Sequence, residues 1–475
     1  MRGTYIMNNI GLLINGELEN TRETLDVVNP ATEDIFTKVP RADEALLNKA
    51  VSSAKSAAAS WGQTSLAERK ALITKIADAL HANIEPLAKA LTQEQGKPLE
   101  AATMEVHYAE AFCRYFTALD LAPQVLSEDD NQRLELHRKP VGVVAGIIPW
   151  NFPILIAIYK LAPALLAGNS LIIKPAPTTP VTAVMLGEIL KDVVPAGLVN
   201  IIVDNNDLGP KITSHPDVDK ISFTGSTPTG KAIMASAAST LKRITLELGG
   251  NDAAIVLDDV DVKAAAQGIF ATAFINSGQV CIALKRLYVH ESIYDELSEE
   301  VANLARQAVV GNGLDEGTQF GPVQNKMQYD KVCGYIETAK ADGTIIAGGD
   351  VSNDKGFFVP LTVVKDITDG SKVVDEEPFG PILPIIKYSD VDDAISRANN
   401  SDFGLGGSVW SSNIERASTV ANAMQCGTVW INQHCAFAPN IPFPATKQSG
   451  IGVEFAQEGL NEFTNMQVVN INKAS

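Results

Sequence analysis

The chain has 475 residues, enough for two or three domains of ordinary size, and 45% hydrophobic with 20% charged residues excludes general disorder. Its 38 Lys+Arg against 56 Asp+Glu leave a net charge of −18 with no basic stripe, so a nucleic-acid backbone would be repelled. Five cysteines (Cys113, Cys281, Cys333, Cys426, Cys435) form no CxxC pair and no zinc-ligand spacing; they exclude a disulfide framework and suit a reducing cytoplasm.

Residues 1–9 hold one Arg and no apolar run, unlike a signal peptide, and Met7 reads as an alternative start. From Gly11 to Val39 short strands alternate with turns at Asn15-Gly16 and Asn29-Pro30. Helical spacing follows over Asp43–Ala59, Leu66–Ala79, Ile84–Glu94 and Leu99–Ala118. Alternation over Arg133–Lys139 predicts a half-exposed strand. The most apolar stretch, 141–173, is broken by Pro149, Pro153, Lys160, Pro163 and Asn169, so no transmembrane helix is expected.

Beyond Val141 apolar strands (Val143–Ile148, Ser170–Lys174, Val199–Val203, Lys220–Phe223, Ala253–Leu257) alternate with helices at Ile154–Leu166, Thr182–Lys191 and Thr229–Ala238. This rhythm means a parallel sheet covered on both faces. A second such series is expected from about Val260 to Asn461, and Gln467–Ile471 reads as one more strand. The fold class is therefore α/β: two parallel-sheet domains with a small β appendage.

Four local patterns carry chemistry, and each has a bland alternative. Cys281, after a Gly278-Gln279 turn, is either a thiol exposed near a helix N-terminus, where the dipole favours thiolate, or a small buried hydrophobe. Glu247 lies between two leucines and before Gly249-Gly250; it is a general base raised in pKa by burial, or a carboxylate capping a helix or paired in the core. Asn151, fenced by Pro149 and Pro153, is a donor to a developing oxyanion or part of a rigid turn. Phe223-Thr-Gly225-Ser226, before a helix opening near Pro228, is an anion site for a pyrophosphate or a structural turn.

Seven motifs occur in order: Pro149-Trp-Asn-Phe-Pro153, Lys174-Pro, Phe223-Thr-Gly-Ser226, Leu246-Glu-Leu-Gly-Gly250, Gly278-Gln-Val-Cys281, Glu376-Glu-Pro-Phe-Gly-Pro381 and Gly427-Thr-Val-Trp-Ile-Asn432. Together they resemble the NAD(P)-dependent aldehyde dehydrogenase superfamily from about Leu12 to Ile471. The resemblance implies a Rossmann-like dinucleotide-binding domain from residues 1–120 and 139–249. It likewise implies a catalytic domain over 250–462 and oligomerisation strands in 121–138 and 463–475, hence a homodimer or homotetramer.

The resemblance also implies roles. Cys281 is the nucleophile, Asn151 with the Cys281 N–H the oxyanion hole, and Glu247 the base that hydrolyses the thioester. The cofactor NAD, or NADP, is held by Pro149, Trp150, Lys174, Pro177, Gly209, Phe223, Gly225, Ser226, Leu248, Glu377 and Phe379. The family often has Glu where Pro177 stands. Without it NAD+ is only slightly favoured, and Lys174 is expected to be able to meet a 2′-phosphate. Pro444 and Ala445 stand where the family commonly has Gly-Gly, so a stiffer loop is expected near the substrate entrance.

By the same resemblance Phe152, Ile156, Tyr159, Val280, Ile282, Phe437 and Phe443 line the substrate tunnel. They include no Arg, which disfavours a substrate carboxylate and favours an uncharged aliphatic or aromatic aldehyde. Tyr159 and the three Phe would also suit betaine aldehyde through cation–π contacts. His434-Cys435 lacks a third ligand, so no metal is expected. Two rivals remain: a catalytically silent dinucleotide-binding scaffold and a CoA-acylating semialdehyde dehydrogenase. Intact Cys281, Glu247 and Asn151 argue against the first, and Glu247 against the second.

Overall fold

Val143–Ile147 is apolar at every position and buried throughout, so this strand needs cover on both faces. In the computed structural model, which describes residues 11–352 and 354–473, it lies inside a six-stranded sheet. The order is 450–451, 243–247, 220–224, 143–147, 170–174, 199–201. All neighbours are parallel except Gly450–Ile451, which pairs antiparallel with Leu246 and Glu247 at one edge. The expectations about residues 1–9 lie outside the described residues.

A seven-stranded sheet forms the second layer system, ordered 344–347, 362–365, 382–388, 284–290, 252–256, 406–410, 428–431. Here one expectation is corrected. The strand read at Ala253–Leu257, grouped by its pattern with the first series although it falls within the expected 250–462 domain, forms at Asp252–Val256 and lies in this second sheet, between 284–290 and 406–410. The reason is the Gly249-Gly250 break, which lets the chain leave one sheet after Glu247 and enter the other. Alternate residues then face opposite cores, Ala253 and Ile255 on one side and Ala254 and Val256 on the other.

The expected helices form with small shifts of their ends, because caps rather than periodicity set them. Asp43 accepts from Leu46 N to start Glu44–Trp61, and Ser65 with Glu68 makes a reciprocal capping box for Leu66–Ala82. The final strand, Thr464–Asn472, pairs antiparallel with Gln132–Pro140, which also pairs with Gln124–Glu128. These three strands form the expected appendage. Val280, Ile282, Phe443 and Phe455 from the later part of the chain pack into the core of the first sheet. One cavity opens along that seam.

Candidate active site

The corner between strand Val143–Ile147 and helix Pro153–Leu166 holds Asn151. Its two prolines remove backbone donors, and buried side chains from elsewhere fix the corner instead. Lys97 Nζ donates to Asn151 O at 2.9 Å and sits 3.8 Å over the Phe152 ring. Lys97 pairs with Glu105 at 2.5 Å, and Glu105 Oε1 accepts from Ile154 N and Leu155 N at the helix start. Asn151 Nδ2 donates to Gln279 O at 3.1 Å. An amide nitrogen carries two hydrogens, so one stays available to a ligand.

Glu247 ends the strand Arg243–Glu247 and is buried. Burial raises its carboxyl to about 8, opposed by a hydrogen bond with the Cys281 thiol and by the charge of Lys160. Oε1 has no hydrogen-bond partner among the described residues. A buried carboxylate oxygen left without a donor is costly, and this one borders the cavity. Directly after it, a Cβ at Gly250 would stand 2.5 Å from Cys281 O. Glycine is therefore required at 250, where the backbone approaches that of Cys281.

Cys281 is presented by a tight left-handed run. Asn276 (φ 50°), Ser277 (φ 55°) and Gly278 (φ 72°) precede it, held by Ser277 Oγ donating to Gly321 O at 2.8 Å and by Gln279 Nε2 donating to Asn276 O at 2.9 Å. Two non-glycine residues in this region cost on the order of 1–2 kcal/mol each. The expected helix N-terminus is not there. A short 3₁₀ turn, Ile275–Gly278, comes before the thiol and the strand Leu284–His290 after it. No macrodipole points at the sulfur. Burial and the charge of Glu247 push the thiol well above its ordinary value, and Lys285 pulls the other way.

One cavity of about 1620 Å³ is lined by every residue assigned above to the reacting centre, cofactor and tunnel. One arm, where the cofactor is expected, runs from Trp150 and Phe379, whose rings meet edge-on at 5.3 Å, past Leu248 and Phe223 to Ser226. Ser226 is the N-cap of helix Thr227–Ala237, with Pro228 in the first turn; its hydroxyl lies 2.9 Å from that of Thr229. Gly225 N donates to Glu247 O, tying this turn to the reacting centre. Glu377 Oε1 accepts from Gly250 N at 3.0 Å. At the far end no atom lies within 4 Å of where a Cβ on Gly209 would stand, leaving room beside Pro149, Lys174 and Pro177.

Lys174 departs from expectation. Its ammonium is not free for a 2′-phosphate, because the fully buried Asp204 takes it at 2.7 Å and Asn206 Oδ1 accepts from it at 3.1 Å. A buried carboxylate needs that counter-charge.

The other arm, where the substrate tunnel is expected, is more aromatic than the sequence reading held. Phe455 was missed, yet it stacks on Phe443 (5.5 Å) and meets Tyr159 edge-on (5.0 Å). Phe437 meets Tyr108, also missed, at 5.6 Å. Phe152 borders the cavity but carries Lys97 over its ring, so it stands apart from this cluster. Lys97 and Glu105 were missed as well, since in sequence they look no different from the exposed Glu100 between them. The lining includes no arginine. Among the described residues no three His, Cys, Asp or Glu side chains gather as a metal site, and no helix is long and apolar enough to cross a membrane.

The family model for the aldehyde dehydrogenase family matches residues 18–469. This chain belongs to that family. A mitochondrial aldehyde dehydrogenase of Leishmania tarentolae is 39% identical over 468 residues, 97% of this chain and 94% of that one. The NAD+ complex of an aldehyde dehydrogenase from Bacillus cereus superposes with a TM-score of 0.95 at 36% identity, covering 98% of this chain and 97% of that one. A betaine aldehyde dehydrogenase from Staphylococcus aureus in complex with NAD+ gives a TM-score of 0.94 at 33% identity, covering 98% and 95%. The resemblance read from seven motifs is thus borne out, and with it the reading of the chain as an aldehyde dehydrogenase enzyme.

Proposed function

We propose that this aldehyde dehydrogenase oxidises an uncharged aliphatic or aromatic aldehyde to its carboxylic acid, with Cys281 as nucleophile. The observation that carries this reading is the convergence of Cys281, Glu247 and the spare Asn151 N–H, from three separate segments, on one cavity. In the fraction of enzyme whose Glu247 is ionised, the Cys281 thiol passes its proton to that hydrogen-bonded carboxylate as the sulfur attacks the aldehyde carbon. Asn151 Nδ2 and the Cys281 N–H donate to the oxygen that gains charge, a contact worth about 3–4 kcal/mol in a preorganised site. NAD+, when bound, supplies the hydride acceptor. After deprotonation Glu247 takes a proton from the water that attacks the thioester carbonyl, releasing the acid and the thiol.

The cofactor would be held by Ser226 with Gly225 at the helix start, by Lys174 beside Pro177 and Gly209, and by Glu377, between the walls formed by Pro149, Trp150, Phe223, Leu248 and Phe379. Support comes from the open space at Gly209 and from the NAD+ complex described for the Bacillus cereus relative. We assign the first sheet and its helices (1–120, 139–249) to the cofactor, residues 250–462 to catalysis, and 121–138 with 463–475 to oligomer contacts. The five free thiols suit a reducing compartment such as the cytoplasm.

Trapping tests the reading. Enzyme quenched during aldehyde turnover should carry an acyl adduct on Cys281 by mass spectrometry, and Cys281→Ala should form neither adduct nor NADH. An adduct on another side chain would sink the proposal, and a requirement for CoA would replace it with the acylating reading. A panel of hexanal, benzaldehyde, betaine aldehyde and succinate semialdehyde tests the substrate class. Betaine aldehyde is the second reading, favoured by the Tyr159–Phe455–Phe443 cluster. The panel should place succinate semialdehyde last in kcat/KM by tenfold or more, since no arginine meets its carboxylate.

A further inference from the structure

Lys285, the second residue of strand Leu284–His290, points back along the chain rather than outward. Its buried ammonium donates to Val280 O at 2.8 Å and to Cys281 O at 2.5 Å, and lies 3.5 Å from Glu377 Oε1. Two consecutive carbonyls are thereby drawn to one cation. No peptide bond here is cis, so in each planar unit the C=O and the following N–H point in opposite directions. Turning the Val280 carbonyl to Lys285 turns the Cys281 N–H away from it. Among the described residues no backbone acceptor meets that N–H.

We infer that Lys285 is a positioning residue for the reacting centre: it aims the Cys281 N–H for the oxyanion, steadies Glu377, and sets a positive charge against the sulfur. It does the electrostatic work that a helix N-terminus would otherwise do. The charged groups around the sulfur are Glu247 from the first sheet, Glu377 from the loop before strand Ile382–Tyr388, and Lys285 itself. Burial raises Asp252 on the adjoining strand, also near Lys285 and Glu377, to about 7, so near neutral pH it carries only part of a charge. Of the three side chains that act most strongly on the thiol, Lys285 is the cation, so its removal leaves carboxyl groups alone beside the thiolate.

The inference rests on Cys281 being the nucleophile, and the test separates the two. In full-length enzyme without cofactor, the iodoacetamide reaction of Cys281 is followed against pH, with Cys281→Ala as background. Lys285→Met, and Lys285→Gln as the second variant, should move the midpoint up by about one pH unit, a tenfold loss of thiolate at fixed pH. Single-turnover acylation should slow by tenfold or more with KM for aldehyde changed less than threefold. A lowered melting temperature with an unmoved midpoint in either folded variant overturns the inference. If wild-type turnover instead leaves Cys281 unacylated, the nucleophile reading fails while the alkylation result stands.

Discussion

Burial lifts the Glu247 carboxyl to about 8, so at neutral pH only its minor fraction is ionised in the free enzyme. As a base it works only when ionised, so thioester hydrolysis should rise with pH through about 8 and level off above. Glu247→Gln should be slower by a hundredfold or more and flat in pH, measured as steady-state rate after a pre-steady-state burst. Folding stability moves the opposite way. Between roughly pH 4.5 and 8 the unfolded carboxyl has lost its proton while the native one keeps it, so the native state loses stability as pH rises through this window. Thermal melts should therefore show Glu247→Gln gaining on wild type from pH 5 to 8. An advantage that shrinks over that range contradicts the raised pKa. This residue was legible because a carboxylate between Leu246 and Leu248 has few cheap explanations. Lys285 was not legible: a lysine opening a strand reads as solvated until the fold turns it inward.

Among the elements, we propose that the turn after strand Ser170–Lys174 sets cofactor choice. Pro177 offers no carboxylate to ribose hydroxyls, and Lys174 is neutralised by Asp204, so neither cofactor gains a strong contact there. NAD+ should be preferred over NADP+ in kcat/KM by less than a thousandfold, about 4 kcal/mol, and Pro177→Glu should widen the gap. A wild-type preference above that limit, either way, contradicts the reading. Long elements were legible because caps and periodicity agree, as in helix Leu66–Ala82. Gly450–Ile451 was not, since two residues carry no period. The strand read at Ala253–Leu257 runs on from the first series in its pattern alone, because local pattern cannot say which sheet a buried strand joins. Phe455 and Tyr108 escaped notice because they lie far from each other in sequence and meet only through Phe437.

At the scale of the molecule, strand Thr464–Asn472 exposes Met466, Val468 and Ile471 at the rim of a three-stranded sheet. Such an edge invites pairing with another chain unless it is guarded. We propose that it joins subunits, and light scattering should report a dimer or tetramer that Val468→Asp shifts toward monomer. A wild-type monomer would contradict this.

Strand Arg243–Glu247 has its outer edge closed only by Gly450–Ile451, with Leu248 N donating to Ser449 O. During synthesis on the ribosome, some two hundred residues must emerge after Glu247 before that edge can close. A nascent chain halted before position 449 therefore carries Glu247 on a strand whose outer edge is still open.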